Sequence, residues 1–279
     1  MKNAYTLFGH PLGHSMSPFI HARLFALSGI EATYTLSDIE PDTFVKSKDL
    51  LQQYAGFNIT IPYKTTVIPL IDQMDESAER YASVNCVANR DGVLVGYNTD
   101  CDGFTMSVKS YPMDKKVLLI GCGGVGRMMA TEAVRAGADL TIGIIPEDRE
   151  TVTSFLDELQ TKYPHAQMRL ALTQDIDDAF DVILNASPVG MTPKTDACPV
   201  PDKLIERCSC CFDVIYNPTQ TLFLRKAAAL GKQTKSGTAM LVLQAVRAHE
   251  IWYGGSFTDA QIQTIIQDME AELRRQNHA

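Results

Sequence analysis

Two hydrophobic periods alternate along the chain. Runs with the period of a strand occupy residues 4–8, 33–36 and 58–61, and between them apolar residues recur every three or four positions. Phe19, Ile20, Leu24, Phe25 and Leu27 mark the first helix, and residues 41–53 are expected to form the next one. In Asn58-Ile59-Thr60-Ile61-Pro62-Tyr63-Lys64 the isoleucines alternate with polar residues. Pro62 has no amide to give a ladder, so the strand ends there and delivers Lys64 at its exit. Helical pieces surround residues 75–78, and residues 84–88 and 93–96 pair as a hairpin across Asn89-Arg90-Asp91-Gly92, whose Asp-Gly step is a strong turn signal. A second unit opens after Lys115-Lys116 with the apolar strand 117–120, a glycine loop, a helix over 127–136 and a strand over 139–145. Further strands at 168–171, 181–185 and 212–215 complete the rhythm of a doubly wound parallel sheet. Helices over 238–253 and 259–275 end the chain. The expectation is an α/β protein of two domains.

Composition narrows the function without choosing it. The 279 residues suffice for two cores, and 45% hydrophobic with 21% charged residues is ordinary for a globular chain. No apolar run is long enough for a bilayer, and Met1-Lys2-Asn3 leads straight into the first strand, so no membrane and no export signal are expected and the cytoplasm is the expected setting. A formal charge of −8 with no cluster of Lys and Arg argues against nucleic acid. Seven cysteines without a secretory context read as reduced thiols, since Cys208-x-Cys210-Cys211 lacks a second pair at zinc spacing. His10, His14 and His21 lie close in sequence but have no carboxylate or thiol beside them to complete a ligand set, and no metal is expected.

Three stretches carry candidate chemistry. Ser15-Met16-Ser17-Pro18 opens the first helix, with Ser17 expected at the N-cap and Pro18 at the first helical position. Two hydroxyls at a positive helix end suit a carboxylate, although capping by Ser17 alone needs no ligand. Lys64 can give a proton to a reacting oxygen, and Asp100, in Gly96-Tyr97-Asn98-Thr99-Asp100, can hold it. An ordinary surface lysine after a strand would look the same. Gly121-Cys122-Gly123-Gly124-Val125-Gly126, between a strand and a helix, is a G-x-G-x-x-G loop in the setting that binds a pyrophosphate. Gln244, among the apolar residues of the penultimate helix, fits a satisfied core amide equally well.

Taken together these motifs, with Val84-Asn85, Asn185-Ala186-Ser187-Pro188, Asp213-Val214-Ile215-Tyr216-x-Pro218 and Met240-Leu241-x-x-Gln244, resemble the shikimate/quinate dehydrogenase family over almost the whole chain. The resemblance implies a substrate-binding domain over residues 1–102 completed by 239–279, and a Rossmann-like dinucleotide domain over 103–238. It implies NAD- or NADP-dependent reduction of 3-dehydroshikimate to shikimate, a step toward chorismate and the aromatic amino acids, with Lys64 and Asp100 as catalytic pair. Ser15 and Ser17 would bind the substrate carboxylate. Thr60, Asn85, Asp100 and Gln244 would hold its hydroxyls, and Tyr216 would close the site. The cofactor would meet Gly121, Gly123, Gly124, Val125, Gly126, Glu147, Asp148, Arg149, Asn185, Ser187, Gly237 and Met240.

The chain departs from the family pattern in three places. NADP-dependent members usually carry Asn-Arg-Thr after the second strand of the dinucleotide domain, where this chain has Ile144-Ile145-Pro146 and then Glu147-Asp148-Arg149. The carboxylates point to NAD, while Arg149 keeps NADP open. Ala239 replaces a glycine of the usual Gly-x-Gly before Met240, and Cys86 stands where threonine is usual. Ser17, where some quinate-preferring members have threonine, leans toward shikimate. Quinate or an aminated shikimate as substrate, or a ligand-binding paralogue of weakened activity, are the alternatives. An exposed apolar face on the first strand or helix would be the place for a homodimer contact.

Overall fold

The computed structural model describes residues 3–13 and 15–278, the last two by backbone alone, and resolves the chain into two compact units. One unit comprises the chain up to Gly103 together with Val242–Met269. It runs β1 (Ala4–Gly9), α1 (Ser17–Ser28), β2 (Thr33–Asp38), α2 (Pro41–Phe44), α3 (Lys48–Leu51), β3 (Gly56–Ile59), β4 (Gln73–Met74), α4 (Glu76–Tyr81), β5 (Cys86–Arg90), β6 (Val93–Tyr97) and the first half of α5 (Thr99–Ser107). The sheet order is β2-β1-β3-β5-β6-β4. β2, β1 and β3 are parallel, as strands joined through helices must be, and β5 and β6 form an antiparallel hairpin. Asp91 (φ 52°) and Gly92 (φ 95°) both adopt the left-handed backbone that a two-residue hairpin turn matched to strand twist requires. One face of the sheet buries Phe8, Phe44, Phe57, Tyr63, Val84 and Leu94, and the other buries Tyr5, Phe25, Cys86, Ala88 and Trp252. The Trp252 indole N–H donates to Val87 O at 3.0 Å and ties the C-terminal segment to β5.

The second unit comprises Phe104–Leu241 and the chain from Glu270 on. Its elements are β7 (Lys116–Ile120), α6 (Gly124–Arg135), β8 (Asp139–Ile144), α7 (Arg149–Lys162), β9 (Gln167–Leu172), β10 (Val182–Asn185), α8 (Asp202–Glu206), β11 (Cys210–Asp213), α9 (Leu222–Ala229) and β12 (Gln233–Ser236). All are parallel in the order β12-β11-β10-β7-β8-β9, the doubly wound topology expected from the pattern. Chain order reverses between β7 and β10. That is the point where such sheets place a ligand, at the C-terminal ends of the strands. The helices α10 (Gly237–Tyr253) and α11 (Asp259–His278) follow, and the division between units falls within each of them.

Four local expectations are corrected. Residues 41–53 form two short helices rather than one, because the chain turns at Ser47, whose hydroxyl bonds back to Phe44 O at 2.6 Å. The strand before Lys64 ends at Ile59, and Ile61, expected on its buried face, is 74% exposed in the turn that follows. Ser17 is the first helical residue rather than the cap. Ser15 Oγ instead accepts from the Ser17 N–H at 3.2 Å, and Met16 occupies the cap position without a side-chain bond. Of the two elements expected to offer an exposed apolar face, β1 is an inner strand buried over residues 5–9, while α1 leaves Leu27 47% exposed. β12 was not expected at all.

Gly56 in β3 sits at a tight seam of the first unit. A Cβ there would lie 2.5 Å from the Trp252 indole nitrogen and 2.9 Å from Val87 O, the two atoms of the tie just described. Gly56→Ala is expected to displace the indole and destabilise the fold by about 1–3 kcal/mol. Thermal unfolding checks this, and an unchanged midpoint would contradict it.

Candidate active site

Lys64 is placed by its neighbours before its own side chain is considered. The Tyr63 ring stacks on Phe44 at 4.0 Å and 9°, its hydroxyl donates to Ile39 O, and the Lys64 carbonyl accepts from Val84 N at 2.8 Å. From this fixed turn the ammonium donates to Asp100 Oδ2 at 2.6 Å. Both side chains are largely but not wholly covered, at 25% and 17% exposure. Asp100 lies in the first turn of α5, where the helix dipole favours a carboxylate. Its other oxygen accepts from Asn85 Nδ2 at 2.9 Å. The Asn85 amide also accepts from Thr99 N at 2.6 Å and donates to Thr99 Oγ1 at 3.1 Å, and Thr99 Oγ1 donates in turn to Gln244 Oε1 at 3.4 Å. Four residues expected at the site, Lys64, Asn85, Asp100 and Gln244, therefore share one hydrogen-bonded network. Its hub is the fully buried Thr99, which was not singled out although it sits inside the Asn98-Thr99-Asp100 motif.

The loop from Gly9 to Ser17 borders Thr60. A Cβ at Gly9 would come within 2.5 Å of Thr60 Cγ2, so only glycine lets the loop leave β1 there. His10 N donates to Ile61 O at 3.1 Å. Asp38, at the end of β2, grips the loop twice, through His10 Nδ1 at 2.7 Å and the Leu12 N–H at 2.7 Å. That hydrogen bond raises the His10 pKa, with Glu40, 3.3 Å from Nε2, adding to it, and lowers that of Asp38. Ser17 is buried and Ser15 half-buried. His14 lies outside the described residues.

The glycine loop of the second unit has the features of an anion cradle. Gly121 has φ 84°, and a Cβ on it would come within 3.0 Å of Ser187 N. At Gly126 a Cβ would strike Gly121 O at 2.5 Å, whereas Gly123 and Gly124 face open space. α6 starts at Gly124 without a side-chain cap and without an acid in its first turn, and Val125 follows half-buried. The first N–H groups of this 12-residue helix are thus left for an outside acceptor. These residues fit a dinucleotide pyrophosphate. Asn185, fully buried, donates to Asp213 Oδ1 at 3.0 Å and accepts from Ser187 N at 3.1 Å and Ser187 Oγ at 2.7 Å, so its amide shapes the loop beside Gly121. Asp213 also accepts from Thr221 Oγ1 at 2.7 Å and Ile215 N at 3.1 Å. Burial pushes its carboxyl up to about 6 against the pull of these three donors. Its role as anchor was hidden in a motif picked out for Tyr216.

Glu147 and Asp148 lie exposed in the turn Pro146–Asp148 after β8, and Arg149 opens α7. Burial pushes the Cys122 thiol in the glycine loop up to about 12, with Arg127 lowering it and Asp148 raising it, so both charges border the loop. Arg127, directly after Gly126, was not anticipated. Gly237 passes so close to the chain after β11 that a Cβ would lie 2.0 Å from Val214 O, and Ala239 and Met240 behind it are buried. Tyr216 belongs to this second unit, whereas the other residues expected to bind substrate belong to the first. Among the described residues no group of three His, Cys, Asp or Glu is placed to hold a metal ion.

Residues 7–87 match the family model described as shikimate dehydrogenase substrate binding domain. The chain is 36% identical to a shikimate dehydrogenase (NADP(+)) of Geobacillus kaustophilus over 91% of its own length and 94% of that protein's. It is similar in structure to a chorismate mutase/shikimate 5-dehydrogenase fusion protein from Clostridium acetobutylicum, with TM-score 0.85, 28% identity and coverage of 98% of this chain and 99% of that one. The shikimate 5-dehydrogenase from Listeria monocytogenes, in complex with shikimate and NAD, matches with TM-score 0.84 and 26% identity over 95% of this chain and 96% of that one.

The His10–Asp38 clamp makes the loop sensitive to pH. Because the folded pKa of His10 is raised, the stability it adds is fully present below ~6.5 and is lost as pH rises through the folded value. NMR titration is expected to find His10 above ~6.5 in the wild type and back near it in Asp38→Asn. Equal titration in both proteins would contradict the clamp.

Proposed function

The chain belongs to the shikimate dehydrogenase family, and on that footing we propose that it interconverts shikimate and 3-dehydroshikimate with a nicotinamide dinucleotide. The observation that carries this reading is the 2.6 Å contact of Lys64 with Asp100 inside the Asn85–Thr99–Gln244 network. When bound, the dinucleotide supplies or accepts the hydride at the ring carbon bearing the C3 oxygen. Lys64 handles the proton at that oxygen. In reduction its ammonium stabilises the developing alkoxide and then protonates it, and in oxidation the neutral amine takes the hydroxyl proton. Asp100, held from one side by Asn85, keeps the lysine in place and accepts from a substrate hydroxyl.

Ser15 and Ser17 bind the substrate carboxylate at the start of α1, and Thr60, Asn85 and Gln244 take the ring hydroxyls. The first unit is then the substrate-binding domain and the second the dinucleotide-binding domain. Free thiols at Cys86, Cys101, Cys122, Cys198, Cys208, Cys210 and Cys211 suit a cytoplasmic setting, and no helix among the described residues is long and apolar enough to cross a membrane.

We read NAD as the preferred partner. The recess at the ends of β8 and β9, about 400 Å³, is lined by Ile144, Ile145, Pro146, Leu172, Cys198 and Val200, with no cation among the residues lining it. Glu147 and Asp148 at its side repel a 2′-phosphate and can accept from a free 2′-hydroxyl. Arg127 and Arg149 are the cations that would have to overcome them.

Initial rates with NAD and NADP, each with shikimate and with quinate as donor, test this reading. Shikimate oxidation is expected, faster with NAD, and quinate is expected to be the poorer donor. A protein that oxidises quinate in preference to shikimate would contradict the substrate assignment. If folded protein binds shikimate but oxidises neither donor, the chain is a ligand-binding paralogue, and the Ala239 methyl is the first place to look.

A further inference from the structure

β2, the edge strand, sends one side chain across the sheet to the network around Lys64. Tyr34 pairs with Tyr5 of β1 in the ladder, yet its hydroxyl passes beyond β1 to donate to Asn58 Oδ1 on β3 at 2.7 Å. Asn58 is buried, and its Nδ2 donates to the backbone carbonyl of Asn85 at 3.1 Å. The same carbonyl accepts from Ile59 N at 2.9 Å. Clasped by these two donors, Asn85 presents its side-chain amide to Thr99 and, at 2.9 Å, to Asp100 Oδ1. The remaining oxygen of Asp100 meets Lys64.

The direction of each bond follows from the first. Burial holds the Tyr34 phenol well above its ordinary range, with the Ser17 hydroxyl offsetting part of the shift, so the phenol remains a donor. A donor there fixes the Asn58 amide with oxygen toward Tyr34 and NH2 toward Asn85. The ring itself is held by the fully buried His21, which stacks on it at 4.2 Å and 11°. Burial pushes His21 down to about 3, so this seat stays neutral at any working pH.

We propose that Tyr34 is a positioning residue for the Lys64–Asp100 pair, acting through Asn58 and Asn85. The inference rests on the dehydrogenase reading given above. Simple packing would be served equally well by phenylalanine, which keeps the stack on His21. Removing only the hydroxyl leaves Asn58 Oδ1 buried without its donor, so the amide keeps one of its two anchors, the bond to the Asn85 carbonyl, and holds that carbonyl less firmly.

The test is shikimate oxidation at saturating dinucleotide by the wild type, Tyr34→Phe, Asn58→Ala and the double variant, with melting temperatures measured alongside. Tyr34→Phe is expected to lose about tenfold in kcat, the order that a small misplacement of a reacting group costs, with the KM for dinucleotide unchanged. The double variant is expected to be no slower than Asn58→Ala alone, because both changes cut one path. Tyr34→Phe with a kcat within about twofold of the wild type, or losses that multiply in the double variant, would overturn the inference. Should Asn58→Ala fail to fold, the division of the Tyr34→Phe effect between kcat and KM decides. A wild type that oxidises no shikimate would overturn the dehydrogenase reading, and this inference with it.

Discussion

The first unit depends on one partly covered ion pair, Lys64 with Asp100. Such a pair is a poor source of stability, because taking two charges out of water offsets most of their attraction. What it needs is geometry, and the surrounding structure supplies it. Tyr63 is pinned by Phe44 and Ile39, the Lys64 carbonyl by Val84, and Asp100 by Asn85 and the start of α5. The ammonium and the carboxylate meet between two fixed segments, so each can be spared for a substrate without the site collapsing. This is the arrangement expected where electrostatics is organised before the reaction starts.

The second unit solves a different problem, that of exposing backbone. Gly121 and Gly126 let strand, loop and helix close to within a carbonyl's reach, while Gly123 and Gly124 stay open. Asn185 and Asp213, both fully buried, spend their side chains on holding the neighbouring loops. Neither needs to touch a ligand to matter. Buried polar groups that are fully satisfied give a unique conformation to loops that would otherwise have several.

Much of this was legible in the chain, for identifiable reasons. The apolar strand 117–120 and the glycine loop are local signals, and the sheet they predict is the one observed. Lys64, Asn85 and Asp100 were recognisable as polar residues at strand ends, whereas Gln244 reads as a core amide and only the family resemblance singled it out; the four do converge. β12 escaped because Gln233-Thr234-Lys235-Ser236 is a polar edge strand defined only by its ladder. The exchange of roles between Ser15 and Ser17 escaped because either hydroxyl can satisfy a free N–H at that turn. Tyr34 and Thr99 escaped for a deeper reason. The partner of Tyr34 lies 24 residues away and those of Thr99 lie 14 and 145 away, and no spacing in a single sequence announces such bonds.

The most direct test of the central claim is a cycle on the pair itself. Single-turnover oxidation of shikimate would be followed in Lys64→Ala, Asp100→Asn and the double variant, with shikimate affinity measured on each. If the two residues work as one unit, Lys64→Ala loses about 10²–10⁴-fold in the hydride step and the double variant is hardly slower. A Lys64→Ala protein that turns over near the wild-type rate, or losses that multiply, would show that the proton is handled elsewhere.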